Sequence, residues 1–197
     1  MKHKKKILLI IFLIVLVPTF IIGKRFIAIG FQKQAIELSS SFSKKSDYTE
    51  AIEKIDLAIK LAPKNYLFYA TKAQILEKQN KFKEANSTMR SIFDFKNDYA
   101  EGYVAIAMNY ERIGYKDSAY FEYKNALDAY NHRIKKNIED KELILFEKLN
   151  VAVILKHIGE EEKAKNLFNT LKREFPAEVE YIELMRNHGM EALNPNN

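Results

Sequence analysis

The sequence predicts an all-α fold, a superhelical stack of antiparallel helix pairs (an α-solenoid) preceded by one N-terminal transmembrane helix. Three observations predict it. Helix breakers are scarce, with Gly 6 and Pro 4 in 197 residues, as a helical chain requires. Alanines stand at 51, 85 and 119, a spacing of 34 residues, and similar residue types recur around each. An apolar run, ILLIIFLIVLVPTFII over residues 7–22, follows a lysine-rich start.

Residues 1–31 read as a basic cytoplasmic stub, a membrane anchor and a short linker. Within 7–22 only Thr19 is polar, and Gly23, Lys24 and Arg25 follow. At a rise of about 1.5 Å per residue the run is near the shortest helix that spans a bilayer. The stretch Phe26–Phe31 extends it if Lys24 and Arg25 reach back to the headgroups. The rival reading is a cleaved signal peptide with a small-x-small site at Ala28-Ile29-Gly30. Two basic residues between the run and that site suit processing poorly, so an uncleaved anchor over residues 7–23 is expected. Lys2, Lys4, Lys5 and Lys6 precede the span, and Lys24, Arg25 and Lys33 follow it. That balance puts the N-terminus in the cytoplasm and the folded domain outside. With a bacterial style of Lys, Asn and Ile usage, the expected place is a bacterial inner membrane, single-pass, with secretion after cleavage as the alternative.

The formal net charge of +6 belongs to this segment. Six basic residues and no acid fall within 1–25, which leaves 26 basic and 26 acidic residues in 26–197. A nucleic-acid binder needs a basic face on its folded domain, so none is expected here. The chain has no Cys, which excludes disulfides, thiolate metal sites and a Cys nucleophile.

Residues 32–188 form the repeat domain. Its first helix is expected over about Gln32–Ser43, continuing from the membrane helix with interruptions only at Gly23 and Gly30. Four residues after each repeating alanine stands a larger residue (Ile55, Met89, Tyr123), and seven after stands a core residue (Ala58, Ile92, Ala126). Twelve before two of them stand Ala73 and Ala107, each with an aromatic four earlier, Tyr69 and Tyr103. Small residues let two helix backbones approach, and aromatics fill the space between successive pairs. A single pair cannot bury its apolar stripe, so pairs stack. Asn80 and Gly114 supply the turn inside a pair, where a left-handed residue suits a helix end. Pro63, Asn97 and Asn131 mark the ends of second helices.

The stretch Tyr103-x-x-x-Ala107-x-x-Tyr110-x-x-x-Gly114-x-x-x-x-Ala119-x-x-x-Tyr123-x-x-Ala126 resembles a tetratricopeptide repeat (TPR). So does Tyr69, Ala73, Leu76, Phe82, Ala85, Met89, Ile92, with a weaker earlier copy at Ser39, Phe42, Tyr48, Ala51, Ile55, Ala58, Pro63. A fourth copy runs Ala152, Leu155, Gly159, Ala164, Phe168, Leu171, Pro176, so the resemblance covers about residues 32–176. Ala119 and Ala164 are 45 apart, an insertion around the charged segment His132–Glu142 that extends the second helix of the third pair before it turns. Lys148 replaces the fourth aromatic. Ala177–Arg186, with Val179, Ile182 and Leu184 apolar, reads as a capping helix, and 189–197 as a disordered tail.

The resemblance implies a protein or peptide partner in a concave groove lined by the first helices. It places there Leu67, Ala70, Thr71, Gln74, Glu77 and Lys78 of the second pair, and Glu101, Val104, Ala105, Met108, Glu111 and Arg112 of the third. Val104 and Met108 share a helical face; they are either exposed apolar contacts or packed against a neighbouring helix. Some relatives clamp a peptide carboxylate with Lys and Asn. Ile36, Ser40 and Thr71 stand at corresponding positions here, so that clamp is not expected.

No catalytic residue, cofactor site or metal site is expected. The histidines (His3, His132, His157, His188) lack ligand spacing, and His132 and His157 read as solvated. Glu160, Glu161 and Glu162 suit a helix N-terminus. The predicted function is therefore a membrane-anchored interaction module that recruits or assembles partners at the bacterial envelope. The alternative is an immunity-type inhibitor of one toxin or enzyme. Self-assembly through exposed tyrosines such as Tyr66, Tyr99 and Tyr130 is a further reading.

Overall fold

In the computed structural model the described residues are 22–40, 47–137 and 139–193. They form nine α-helices and one 3-10 turn. Among them no helix is long and apolar enough to cross a membrane. The apolar run 7–22 lies outside the described residues except for Ile22. The chain divides into two compact units, Met1–Ile75 and Leu76–Asn197.

The first unit holds α1 (22–40), α2 (Asp47–Leu61) and the greater part of α3 (Tyr66–Lys78). Helix α1 is already formed at residue 22, the first described residue, and passes unbroken through Gly23 and Gly30. Neither glycine is needed for space, since a Cβ at either would meet nothing within 4 Å. Residues 22–31 are thus helix rather than linker, and Ala28 and Phe31 already belong to the core. That core gathers Ala28 and Ala35 of α1, Ala51, Ile55 and Ala58 of α2, and Phe68 and Ile75 of α3. Intervals of three, four and seven place each set on one helical face. Gln32 Nε2 donates to Thr71 Oγ1 at 2.9 Å, tying α1 to α3, and Lys72 meets Asp56 at 2.7 Å, tying α3 to α2.

The second unit holds the end of α3, then α4 (Phe82–Arg90), α5 (Ala100–Arg112), α6 (Lys116–Lys136), α7 (Lys141–His157), α8 (Glu161–Glu174), a 3-10 turn (Pro176–Glu178) and α9 (Val179–Leu193). Three of its turns are copies of one another. Asn80, Gly114 and Gly159 have φ of 59, 81 and 86°. The residue after each donates to the carbonyl five back: Lys81 to Leu76 at 2.9 Å, Tyr115 to Tyr110 at 2.9 Å, Glu160 to Leu155 at 2.8 Å. Each left-handed residue also donates three back, Asn80 to Glu77, Gly114 to Glu111 and Gly159 to Lys156. This paired pattern ends a helix while satisfying its last carbonyls. The next helix starts at once. Ala85, Ala119 and Ala164 each donate a backbone N–H to the carbonyl of the turn's last residue at 3.0 Å. The sequence spacing of those alanines is therefore a spacing of turns.

Helices α5 and α6 pack through Ala100, Val104 and Ala107 against Ala119, Tyr123, Ala126 and Tyr130, with Val151 and Ile154 of α7 behind them. The opposite face of α7 offers Leu145, Leu149, Ala152 and Val153 to Ala164, Phe168 and Leu171 of α8 and to Ile182 and Met185 of α9. An apolar stretch on both sides marks α7 as the wall shared by two cores. Lys148 meets Glu174 at 2.8 Å in place of the expected aromatic contact.

Two segments depart from expectation, and a third extends as expected. Helix α4 ends at Arg90 rather than near Asn97; residues 91–95 close in tighter turns with bonds such as Ile92 to Met89 and Phe93 to Arg90. That tightening stacks Phe93 on Tyr103 at 4.1 Å between ring centres. A Cβ at Gly102 would lie 2.7 Å from the Tyr99 ring, so any other residue would force that ring to shift. Helix α6 passes Asn131 and runs 21 residues to Lys136, the extension expected at the insertion, because the packing of Tyr130 outweighs the small helix penalty of Asn. Asp140, within the insertion, caps α7 by accepting from the Leu143 N–H at 3.0 Å. Finally, the capping helix continues to Leu193, five residues into the expected tail. Among its described residues Ile182, Met185 and Gly189 are buried, while Val179 and Leu184 are exposed. Gly189 extends the contact, since the Val153 side chain fills the place of its missing Cβ.

Replacing Ala107 or Ala119 by Leu should overpack the α5–α6 contact and cost about 1–3 kcal/mol; thermal unfolding checks it, and unchanged stability in both would contradict the register. Gly114→Val should cost about 1–2 kcal/mol for a β-carbon in a left-handed conformation, whereas Asn80→Gly should be neutral or stabilising in the same assay.

Candidate partner-binding site

The first helices carry the residues expected in a groove, and the structure sorts them by exposure. On α3, in the first unit, Leu67 is 48% exposed. Thr71 is buried; its hydroxyl donates to the Leu67 carbonyl at 2.9 Å and accepts from Gln32. Ala70 and Gln74 are half-buried. Thr71 is thus spent on joining α1 to α3. In the second unit Glu77 is buried and Lys78 exposed.

On α5, Val104 is only 2% exposed and sits in the α5–α6–α7 core. Of its two readings, packing is the one observed, so it is not a groove contact. Ala105 is buried as well. Met108 is half-buried at the edge of the same core. Glu111 and Arg112 are exposed, and Arg112 lies 5.6 Å from the Phe82 ring centre, a cation–π contact.

Three polar networks lock the helices of the second unit. In the first, the Asn109 amide donates to Glu77 at 2.7 Å and to Asn86 at 2.9 Å, joining α3, α5 and α4. In the second, Arg133 donates two bonds to Glu101, at 3.0 and 2.6 Å, and a third to Glu147 at 2.8 Å. Its guanidinium also stands 5.0 Å from the Tyr130 ring. The Arg133 side chain is 14% exposed and that of Glu147 is 3%. Burial alone would lower the Arg133 pKa, but the hydrogen bonds from Glu101 and Glu147 outweigh it and raise it. Burial raises the Glu147 pKa against the opposing pull of Arg133.

In the third network Tyr123 donates to Glu111 at 3.0 Å, and the other oxygen of Glu111 meets His157 Nε2 at 2.7 Å. Burial, reinforced by Glu111, pushes the Tyr123 pKa up, so the phenol remains a donor. His157 also stands edge-on to Tyr123. It is exposed, as expected, and is also bonded to Glu111. Glu101 and Glu111, both expected in the groove, hold α6 and α7 instead. Tyr130 is fully buried and unavailable for self-assembly.

Of the expected groove residues, then, Leu67 and Lys78 on α3 and Glu111 and Arg112 on α5 are exposed, with Ala70, Gln74, Glu101 and Met108 partly so. Among the described residues no group of three or more His, Asp or Glu is arranged to hold a metal ion.

Arg133→Met should leave Glu101 and Glu147 facing each other and cost about 3–5 kcal/mol near neutral pH. Removing the cation lifts the folded pKa of Glu147 further. Between its unfolded and folded pKa values a raised carboxyl binds more protons folded than unfolded, so stability falls as pH rises through that window. The deficit of the variant should accordingly shrink on acidification towards the ordinary carboxylate pKa, near ~4.3, as measured by thermal unfolding across that range.

No family model matches the chain. Among solved structures, MamA from Desulfovibrio magneticus RS-1, residues 41 to the end, is similar at 16% identity over 78% of this chain and 76% of that one, with a TM-score of 0.46. The MamA RS-1 ArsTM double mutant is similar at 14% identity over 74% of each chain, with a TM-score of 0.45.

Proposed function

We propose that the chain is a membrane-anchored interaction module of tetratricopeptide type, which recruits or assembles partner proteins at the bacterial cell envelope. The observation that carries this reading is the threefold recurrence of one helix-ending turn, at Asn80, Gly114 and Gly159. Each such turn closes a helix pair, and serial pairs are a scaffold for binding rather than for chemistry. Charged groups such as Glu147 and Arg133 are consumed in bonds between helices, while each unit presents exposed positions on its first helices to a partner: Leu67 in the first, and Lys78, Glu111 and Arg112 in the second. A helix or an extended segment with apolar anchors and mixed charge suits such positions.

The anchoring part rests on the sequence of residues 7–22 and on the unbroken course of α1 from residue 22 to 40. A helix that crosses the bilayer and runs on into the first pair would hold that pair close to the membrane surface. The charge balance around the run favours a single pass with the folded domain outside the cytoplasm.

The test is crosslinking in membranes followed by capture, comparing the wild-type chain with a Leu67→Glu, Lys78→Glu double variant. Both positions are exposed, so the fold should be unaffected. The expected result is one or more protein partners held by the wild type and lost from the variant. The same partners captured by both would remove the groove reading.

A further inference from the structure

Helix α1 carries an exposed stripe opposite the face it turns to its own core. Ile22, Phe26, Ile29 and Ile36 are 53, 71, 52 and 47% exposed, and Lys33, also exposed, stands between the last two. The intervals along the stripe are four, three, four and three, a repeat of 3.5 residues. Ala28, Phe31, Ala35 and Leu38 hold the core side of the same helix. Ile27 is exposed as well, off the stripe.

Gly23 and Gly30 flank the stripe, each one position after one of its isoleucines and seven residues apart. Glycine is a poor helix former, yet both lie inside α1. Nothing among the described residues asks for them, since an added Cβ at either meets nothing within 4 Å. Glycine on a helix surface lets a second backbone approach closely.

We infer that this stripe is the seam of a parallel pair formed with α1 of a second copy of the chain. A repeat of 3.5 residues is the period that keeps one face of a helix against a like helix along its length, whereas a face turned to lipid needs no such period. Ile22, Ile29 and Ile36 take one of the two seam positions, and Phe26 and Lys33 take the other. Gly23 and Gly30 then border the spaces that receive the isoleucines of the second copy. Lys33 is the single charge on the stripe, a device that fixes register, and Glu37 stands 3.8 Å from it to offset that charge. A seam this short pairs weakly between free peptides, but α1 is already ordered against α2 and α3. The parallel sense rests on the anchoring reading, which inserts both copies the same way and confines them to one plane, raising their effective concentration.

The chain has no Cys, so disulfide trapping tests this on the full-length chain in its membranes. The single substitutions are Ile29→Cys, Ile36→Cys and, at an exposed position off the stripe, Gln34→Cys. On mild oxidation the expected result is a disulfide-linked dimer at 29 and at 36 and none at 34. Adding Ile29→Glu to Ile36→Cys sets two carboxylates face to face in the seam and should abolish the dimer; position 29 is exposed, so the fold of the single copy is untouched. Absence of a dimer at 29 and 36, the same yield at 34 as at 36, or a dimer undiminished by Ile29→Glu would each overturn the assignment. The first of these is the outcome if the stripe lies against lipid or against a different protein. Washing with alkaline carbonate separates the pairing from the anchoring reading. Dimer recovered in the carbonate extract keeps the pairing and refutes the anchor, whereas monomer retained in the washed membranes keeps the anchor and refutes the pairing.

Discussion

A helix ends with carbonyls that need partners, and three times in this chain they are satisfied by the same device. A residue with positive φ at 80, 114 or 159 lets the following N–H reach back five residues. The device reverses the chain within three residues, so the helices on either side are obliged to pack against each other. Packing requires that the facing residues be small, and alanines stand at those contacts. Stacking requires that the outer faces of each pair be apolar, and α7, apolar on both sides, shows the consequence. The architecture thus follows from one backbone constraint repeated at intervals.

The polar networks supply what the apolar cores cannot, which is a unique alignment between pairs. Apolar faces slide with little penalty, but Arg133 meets its two carboxylates in only one register. Such buried charges are weak sources of net stability. Their value lies in penalising alternatives. Much the same holds for Asn109, whose amide joins three helices. Glu77, Glu101 and Glu111, all expected from the resemblance to line a groove, take part in these networks.

Sequence made the repeat legible because its signals are local and periodic. Ala85, Ala119 and Ala164 each follow a turn, and Gly114 and Gly159 announce the turns directly. The core of the fourth pair was equally plain from Ala164, Phe168 and Leu171. The continuity of α1 through residues 22–31 was obscured by Gly23 and Gly30, which usually interrupt helices but here lie in one without consequence. The end of α4 was hidden because it depends on distant partners, Tyr103 and the space above Gly102. Val104 was ambiguous for a general reason: a shared helical face does not say which neighbour covers it. Arg133 looked like one more charge in a solvated insertion. Yet Ala119, Tyr123, Ala126, Tyr130 and Arg133 follow a four-three alternation that continues the buried face, and extending that pattern would have placed Arg133 inside. His157 gave no comparable sign, since its partner Glu111 lies 46 residues away.

The functional reading joins a helical scaffold to a tether, and the tether is its central claim. The chain has no Cys, so a single introduced cysteine reports its own surroundings without interference. Lys165→Cys, at an exposed position of α8, can be exposed to a membrane-impermeant maleimide in intact protoplasts and again after lysis, with carbonate-washed membranes analysed in parallel. The account predicts labelling before lysis and retention in the washed membranes. Labelling only after lysis, or release of the chain by carbonate, would contradict it.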